Sequence, residues 1–419
     1  MQKKVIMPKM GREPGPAQPE TAPVLDSTHL DFTPYPRHHP RGVPAGLSEG
    51  KQPAAVGRLP ELDALRGLAA LAVLVFHTLH AIGSGRNPVW LEQHQLLYIL
   101  ITHSPLRPVF FGREAVLFFF VLSGYVLTRS LLRAGSPGLV AFAFQRTIRL
   151  GLPVAATVLL SAALYWLVVD PATPNGLQSS LGLWRSPPTL GDIVTNIGLI
   201  GADDQFELNQ ALWSLVHEWR LTVLLPLVLL FRERPWALLA VALVATALGM
   251  AGGAIENEVL LGPSLSSTIP ATLYFSTAIA IGGVLAMTVP FPFFSPGQRI
   301  TAGIAAAALF SMQSDFAVYA GSVLLILLAH GTTWLPRLLR TPPLIWLGRL
   351  SFSLYLVHMP VLAACRYALH DLLPMWAAVL VGATAALPAA VFLHRLIEVP
   401  SRRLARWVET AVSRIATRF

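Results

Sequence analysis

Apolar runs of about 20 residues recur along the chain from residue 60 to residue 397, and short polar linkers separate them. A run of this length matches an α-helix that crosses a lipid bilayer, whereas a membrane barrel has short alternating strands. The pattern therefore predicts an all-α fold, a polytopic transmembrane helical bundle of about ten spans. The predicted spans are 62–82, 111–132, 150–169, 212–231, 235–252, 268–289, 299–313, 315–334, 344–366 and 375–397.

The sign of the charge in the linkers predicts their side of the membrane. Arginine concentrates in every second linker, and acidic residues fill most of the others, as the positive-inside rule requires. The inner arginines are Arg133, Arg146, Arg149, Arg232, Arg234, Arg299, Arg337, Arg340, Arg402, Arg403, Arg406, Arg414 and Arg418. We therefore expect a multi-pass protein of the cell (inner) membrane with both termini in the cytoplasm.

Composition agrees with this class. The chain is 54% hydrophobic and 13% charged, whereas about a quarter of the residues in a soluble domain are charged. The net charge of +9 lies in clusters between apolar runs, so it favours anionic lipid and not nucleic acid as a partner. The single cysteine, Cys365, excludes an internal disulfide and a multi-cysteine metal site.

Three regions differ in composition. Residues 1–57 are rich in proline and charge and contain no apolar segment of a signal peptide, so we expect a disordered cytoplasmic tail. Residues 58–400 hold the predicted spans, and residues 401–419 form a basic cytoplasmic C-terminal tail. The longest outer linker, about 170–211, is punctuated by proline and glycine, and loops of this length often cover a site.

The first span, "LRGLAALAVLVFH", carries two polar side chains that are costly at membrane depth. Arg66 and His77 are eleven positions apart, close to three helical turns, so both project from one face about 16 Å apart. A boundary arginine with an interfacial histidine would also explain the pair. We interpret this face as the lining of a passage.

Two further spans place titratable groups at a similar outer depth. Glu218 lies in "ALWSLVHEWRLT", and His358 lies in "SFSLYLVHMP" with Tyr355 one turn earlier. Together with His77 they predict a cluster for general acid–base catalysis. A buried ion pair and a core histidine are the structural alternatives. No short histidine spacing indicates zinc, so we predict no metal.

The inner side carries a candidate anion site. Arg146 and Arg149 are three residues apart on one helical face, and two guanidinium groups there suit phosphate oxygens. An ordinary positive-inside anchor would give the same pattern. Ser123, beside Gly124, forms a small polar step that lets a ligand approach, but the motif of a serine nucleophile is absent.

Six motifs occur in order along the chain: "LDALRGLAALAVLVFH", "AVLFFFVLSGYVL", the R-x-x-R of Arg146 and Arg149 followed by Pro153, "LWSLVHEW", "LGRLSFSLYLVHMPV" and "IEVPSRRLARW". In this order they resemble the acyltransferase 3 family of integral membrane acyltransferases. The resemblance covers residue 60 to about 408. No stretch of this sequence resembles the extracytoplasmic hydrolase-like domain that some members carry, which leaves the acceptor open.

The resemblance implies an enzyme that transfers an acyl group, commonly acetyl, from a cytoplasmic acyl-CoA to a hydroxyl of an extracytoplasmic or membrane-associated carbohydrate or glycosylated acceptor. It implies that His77 is the essential catalytic histidine and Arg66 its motif partner. On this basis we expect Arg66, Arg146, Arg149 and Ser123 to bind acyl-CoA. Glu218 or His358 would assist His77, and Tyr355 would donate to the oxyanion.

Two other functions fit the buried charges. A proton-coupled transporter of a sugar or lipid-linked molecule would also need buried histidine, glutamate and arginine, but no inverted repeat is evident. A structural membrane protein would tolerate apolar residues at Arg66, His77 and Glu218.

Overall fold

All regular structure in the described part of the chain is helical, as the sequence predicts. The computed structural model describes residues 59–82, 107, 112–133, 138–170, 181–201, 205–256, 258–262, 264–288, 294–331 and 333–416. The predicted N-terminal tail lies outside these ranges. The helices are α1 Pro60–Ile82, α2 Arg113–Leu131, α3 Leu139–Val168, α4 Leu190–Ile197, α5 Leu212–Val223, α6 Pro235–Ala251, α7 Thr268–Tyr274, α8 Ser276–Thr288, α9 Pro296–Ser311, α10 Asp315–Leu328, α11 Trp334–Leu339, α12 Pro342–Leu369, α13 Met375–Leu393 and α14 Val399–Ala416.

The number of helices able to cross a membrane is smaller than the predicted ten. Within the described ranges, six helical stretches are long and apolar enough for a bilayer, and a seventh qualifies if the bent pair after residue 212 counts as one span. Two further apolar helices, α6 and α10, are shorter than the other candidates. These apolar helices make the chain a multi-pass membrane protein, while ten spans and the sides of the termini stay predictions.

Breaks occur inside two predicted spans, and the first of them accounts for part of this difference. The fourth span bends by 46° between α5 and a 3₁₀ helix at Leu225–Phe231, where Pro226 removes a backbone donor. The sixth is interrupted at Phe275, between α7 and α8. The third helix is longer than expected, because α3 begins at Leu139 and so includes both predicted phosphate-binding arginines.

Two glycines set the central helix crossing, between α1 and α12. A Cβ on Gly67 would lie 2.6 Å from the backbone nitrogen of Gly348, and one on Gly348 would lie 2.2 Å from the carbonyl oxygen of Asp63. Only glycine permits so close an approach of the two backbones. The crossing is parallel, because His77 and His358, each ten residues after its glycine, also lie side by side.

A second glycine pair joins α2 to α8. A Cβ on Gly124 would lie 2.1 Å from the carbonyl oxygen of Ile279, and one on Gly282 would lie 2.0 Å from that of Val121. The numbering runs in opposite directions here, so this pair is antiparallel. The small step at Ser123–Gly124 therefore admits a neighbouring backbone.

The described part of the long linker before α5 folds against the bundle. Trp184 is almost fully buried, and its indole N–H donates to Ser161 of α3 at 3.0 Å. The Asn209 amide donates to the carbonyl oxygen of Leu356 on α12 at 2.7 Å. The linker is thus anchored to the two helices that carry Arg146 and His358.

Helices α13 and α14 form one continuous rod through a π-helical turn at His394–Glu398. At 1.5 Å per residue the rod is about 60 Å long, roughly twice the hydrocarbon thickness of a bilayer. The predicted boundary at residue 400 falls within the rod. Its second half, α14, packs on α3 and exposes Arg403, Arg406 and Trp407.

Candidate functional site

The crossing of α1 and α12 brings His77 and His358 together. Each histidine lies ten positions after its crossing glycine, Gly67 or Gly348, so both stand about 15 Å along parallel helices. The ring centroids are 5.2 Å apart with planes tilted by 40°. His358 is buried and His77 is half-buried. The sequence predicts both as catalytic residues, and the fold places them in contact.

The hydrogen bonding of His358 defines its tautomer. Its Nδ1 lies 3.1 Å from the carbonyl oxygen of Leu354, and a carbonyl can only accept, so Nδ1 carries the proton. In the neutral ring Nε2 then has a lone pair. Among the described residues Nε2 is buried without a hydrogen-bond partner. An unsatisfied buried nitrogen is costly, and here it offers a proton acceptor beside His77.

Glu218 lies in a separate cluster with Arg146 and Ser123. Its Oε1 accepts from Arg146 Nη2 at 2.5 Å and from Ser123 Oγ at 3.0 Å. Arg146 Nε also donates to Thr222 Oγ1 at 3.1 Å. The carboxylate is therefore held in an interhelical ion pair joining α3 to α5. Among the described residues, no hydrogen bond or ion pair joins Glu218 to either histidine of the pair.

Two more arginines stand next to this ion pair. Arg66 on α1 and Arg149 on α3 lie close enough to repel Arg146 and each other electrostatically. Neither makes a hydrogen bond or ion pair of its own in the part of the chain that is described. We call Arg66, Arg146 and Arg149 the arginine cluster. With Glu218 balancing Arg146, the cluster keeps an excess of positive charge suited to an anion.

Tyr355 lies between the arginine cluster and the histidine pair. Its ring centroid is 5.9 Å from that of His358, and its O–H donates to the carbonyl oxygen of Ala211 at 2.9 Å. Since that proton is used, Ser214 Oγ donates to Tyr355 Oη at 2.7 Å. Ser214 is one turn from Glu218 on α5. In this arrangement the Tyr355 proton points away from the histidines, toward the backbone of the linker.

His217 and Arg220, on either side of Glu218, anchor α5 to α7. The ring nitrogens of His217 contact Thr272 Oγ1 at 2.9 Å and the carbonyl oxygen of Leu260 at 2.7 Å. Arg220 donates to the hydroxyls of Thr268 and Thr272, both at 3.0 Å. These bonds hold α5 so that Glu218 faces α2 and α3.

A buried carboxylate that was not predicted from the sequence, Glu398, lies in the π-helical turn. One of its oxygens accepts from Ser353 at 2.6 Å and from His394 at 2.8 Å, and the other pairs with Arg402. Its charge also attracts Arg149. The sequence does contain a signal for this carboxylate, because His394 and Arg402 lie four positions before and after Glu398, about one helical turn away. Single π-helical turns inside α-helices are frequent at functional sites.

A second polar network that was not predicted from the sequence joins α2 to the end of α10. Arg129 donates to Tyr125 Oη at 2.6 Å, and that hydroxyl lies 3.2 Å from His330 Nε2. His330 Nδ1 donates to the carbonyl oxygen of Ile326 at 2.6 Å, which leaves a lone pair on Nε2 of the neutral ring. The neutral ring thus accepts from Tyr125. This network lies at the same end of α2 as a small pocket lined by Arg66, Arg129 and Arg133.

Comparison with known proteins gives a family match over most of the chain. Residues 59–395 match the model of a family described as an acyltransferase domain, the acyltransferase 3 family. The match begins just before α1 and ends in the π-helical turn. It therefore contains every predicted site residue.

Curated relatives are similar at low identity. The peptidoglycan O-acetyltransferase OatA of Listeria monocytogenes is 25% identical over 386 residues, which cover 82% of this chain and 56% of that protein. The O-acetyltransferase OatA of Staphylococcus aureus is 24% identical over 388 residues, which cover 82% of this chain and 57% of that protein. The chain thus spans little more than half the length of these relatives. No solved structure matches it.

Proposed function

The chain belongs to the acyltransferase 3 family, and we propose that it is a membrane O-acyltransferase that acts on a carbohydrate. Its donor in this proposal is a cytoplasmic acyl-CoA, foremost acetyl-CoA. Its acceptor is a hydroxyl of an extracytoplasmic or membrane-associated glycan or glycosylated molecule. The contact between His77 and His358, on the line that leads from the arginine cluster, carries the proposal.

The arginine cluster supports a phosphorylated donor. Arg66 and Arg149 make no ion pair at contact distance in the described ranges, and repulsion within the cluster falls when an anion binds. Phosphate oxygens accept from guanidinium groups in a bidentate geometry that a lysine cannot reproduce. The phosphates of acyl-CoA would bind here, and its extended pantetheine arm would run along α1 toward His77, about 16 Å away.

The histidine pair supports the chemical step. The acceptor hydroxyl attacks the thioester carbonyl, an ester C–O bond forms, and the C–S bond breaks. The base removes the hydroxyl proton, and the departing thiolate leaves as CoA–SH after it takes up a proton. His77, half-exposed to the passage, is positioned to be this base or a transient acyl carrier. The His358 Nε2 lone pair would accept the other N–H of His77 and thereby fix its tautomer.

The remaining predicted residues take positioning roles in this proposal. Glu218 and Ser123 hold Arg146 in place within the cluster. Tyr355 ties α12 to the linker through Ala211 and Ser214. For Tyr355 to act as an oxyanion donor, its hydroxyl would first exchange its bond to Ala211 for one to the substrate.

The names of the relatives support the acceptor class. One is named a peptidoglycan O-acetyltransferase, and the other an O-acetyltransferase. Transfer of an acetyl group to a surface glycan is therefore the first reaction to test in this chain.

The deciding experiment follows the acyl group. Cells that produce the full chain are supplied with radiolabelled acetate, and labelled ester in surface glycans and glycolipids is measured before and after mild alkali. Wild-type protein should incorporate alkali-labile label, and His77→Ala should lose it at equal membrane abundance. His370→Ala is the matched control, since His370 lies past the end of α12 and bonds to Tyr367.

Two results would count against the proposal. One is incorporation of label by His77→Ala at the wild-type level. The other is unlabelled sugar or lipid crossing the membrane without gaining an ester, which would support the transporter instead.

A further inference from the structure

A large apolar groove runs beside α1, and its lining does not include the arginine cluster. It has a volume of about 820 Å³ and is bounded by α1, α2, α9, α10 and α11. Side chains that line it include Leu65, Ala69, Phe118, Ala307 and Leu335. This volume is within the range of sites that enclose a small ligand.

The groove opens where apolar side chains are exposed. Ile300, Ile304, Trp334 and Leu338 line it and are 64%, 66%, 71% and 50% exposed, respectively. Exposed side chains of this kind on a membrane protein face lipid. A hydrocarbon chain can therefore enter the groove sideways from the bilayer.

One carboxylate lies in this apolar lining, at the start of α2. Glu114 is 4% exposed, and its Oε1 accepts from Arg107 at 2.6 Å. Its Oε2 is buried without a hydrogen-bond partner among the described residues. A buried carboxylate oxygen without a donor is strongly unfavourable, so its presence points to a ligand that supplies one.

The acidic end of the groove adjoins the histidine pair. A Cβ on Gly112, two residues before Glu114, would lie 3.0 Å from the ring of Phe76. The Phe76 and His77 ring centroids are 4.8 Å apart. The start of α2, which carries Glu114, thus packs against the residue next to the proposed base.

We propose that this groove binds the hydrocarbon chain of a glycolipid acceptor, with a saccharide hydroxyl donating to Glu114 Oε2. A saccharide hydroxyl can donate to the orphaned oxygen, whereas the phosphodiester of a bulk phospholipid has no proton to donate. The identification of this lipid as the acceptor rests on the proposed function, but the binding site does not.

The test measures binding without any acyl donor. The purified full chain in nanodiscs is photolabelled with hexadecyl glucoside that carries a diazirine in its chain, and the labelled peptides are identified by mass spectrometry. Labels should fall on α9 and α11. Ala307→Trp, which fills the groove, should reduce labelling about tenfold, whereas Ala308→Trp on the exposed neighbouring position should not.

A second probe separates a specific site from bulk lipid. The same photoactive chain on a phosphocholine head group is compared in wild-type protein and Glu114→Gln. Loss of a charge-assisted hydrogen bond should weaken glucoside labelling about tenfold and leave phosphocholine labelling unchanged. Equal labelling by both probes, insensitive to Glu114→Gln and Ala307→Trp, would overturn the inference.

The two proposals fail separately. Specific glucoside labelling by a protein that transfers no acyl group would support the groove and contradict the enzyme. Acyl transfer to a soluble sugar, combined with unspecific labelling, would contradict the groove alone.

Discussion

At the scale of single residues, the charged side chains of the candidate site and its histidine pair form two separate clusters. Arg146 and Glu218 form a buried ion pair, in which each charge offsets the desolvation of the other. Among the described residues no carboxylate bonds to His77 or His358, so neither imidazole gains charge stabilisation from an acid. A neutral imidazole pair suits transfer of a proton from an alcohol, because a neutral ring keeps one lone pair.

The first prediction concerns the Nε2 lone pair of His358. In His358→Asn the amide can still donate to Leu354, but nothing occupies the position of Nε2. We expect folding to persist and the rate of acyl transfer to fall about a hundredfold or more. The measurement is acyl-transfer rate at saturating donor, with thermal unfolding as the check on folding.

Replacement of Tyr355 by Phe is the comparison for this result, because it removes bonds to Ser214 and Ala211 and leaves both histidines. A His358→Asn enzyme with the wild-type rate would contradict the role given to Nε2.

The second prediction concerns the arginine cluster. Arg149→Ala removes a guanidinium that makes no ion pair at contact distance with any described residue, so it should weaken acyl-CoA binding more than folding. We expect KM for acyl-CoA to rise about tenfold with a smaller change in kcat. Steady-state kinetics with varied acyl-CoA make the measurement.

Arg403→Ala serves as the matched control, because Arg403 is exposed on α14 outside the cluster. If both variants gave the same KM as wild type, Arg149 would be only a positive-inside anchor.

At the scale of helices, the equal spacing of glycine and histidine on α1 and α12 determines where the two histidines meet. Gly67 and Gly348 let α1 and α12 touch at their backbones, and ten residues later the histidines meet. Parallel helices with equal offsets keep the two rings at one height. In the proposed mechanism the glycines therefore act on catalysis from about 15 Å away, through helix position alone.

The third prediction follows from this crossing. In Gly348→Ala the new Cβ would overlap the carbonyl oxygen of Asp63, so the helices must separate. We expect a loss of about 1–3 kcal/mol in the free energy of unfolding and a larger loss of transfer rate than of donor affinity. Unfolding in detergent and steady-state kinetics are both measured.

Gly151→Ala on α3 is the control, since its Cβ would have no neighbour within 4 Å. Equal stability and activity in both variants would show that α1 and α12 do not need this close contact.

At the scale of the whole molecule, basic groups lie at one end of the bundle. The arginine cluster, the Arg340–Glu61 pair and the basic helix α14 belong to this end. The acidic Asp371 follows the opposite end of α12. In the predicted orientation this basic end faces the cytoplasm.

The fourth prediction tests that orientation. With the native thiol removed by Cys365→Ser, Asp371→Cys and Arg403→Cys each introduce one exposed thiol. In intact cells an impermeant maleimide should label Asp371→Cys, and Arg403→Cys only after permeabilisation. The reverse pattern would invert the topology and place the arginine cluster outside.

The sequence by itself determined the helices and the chemistry available to them. Apolar runs of bilayer length can form only helices in lipid, because every backbone group must be bonded within its own segment. The arginine pattern predicted a donor side, and motif order predicted the family, which the match over residues 59–395 confirms.

Tertiary structure decided which side chains meet. Glu218, grouped with the histidines from estimated depth, lies with Arg146 and Ser123 instead. His358 reaches His77 across 281 positions of sequence through a glycine crossing. The groove at Glu114 is lined by side chains from five separate helices. Hydrophobic periodicity records which face of a helix is apolar, but it holds no information on the neighbour, rotation or height of that face. Those depend on the packing of backbones that are distant in sequence.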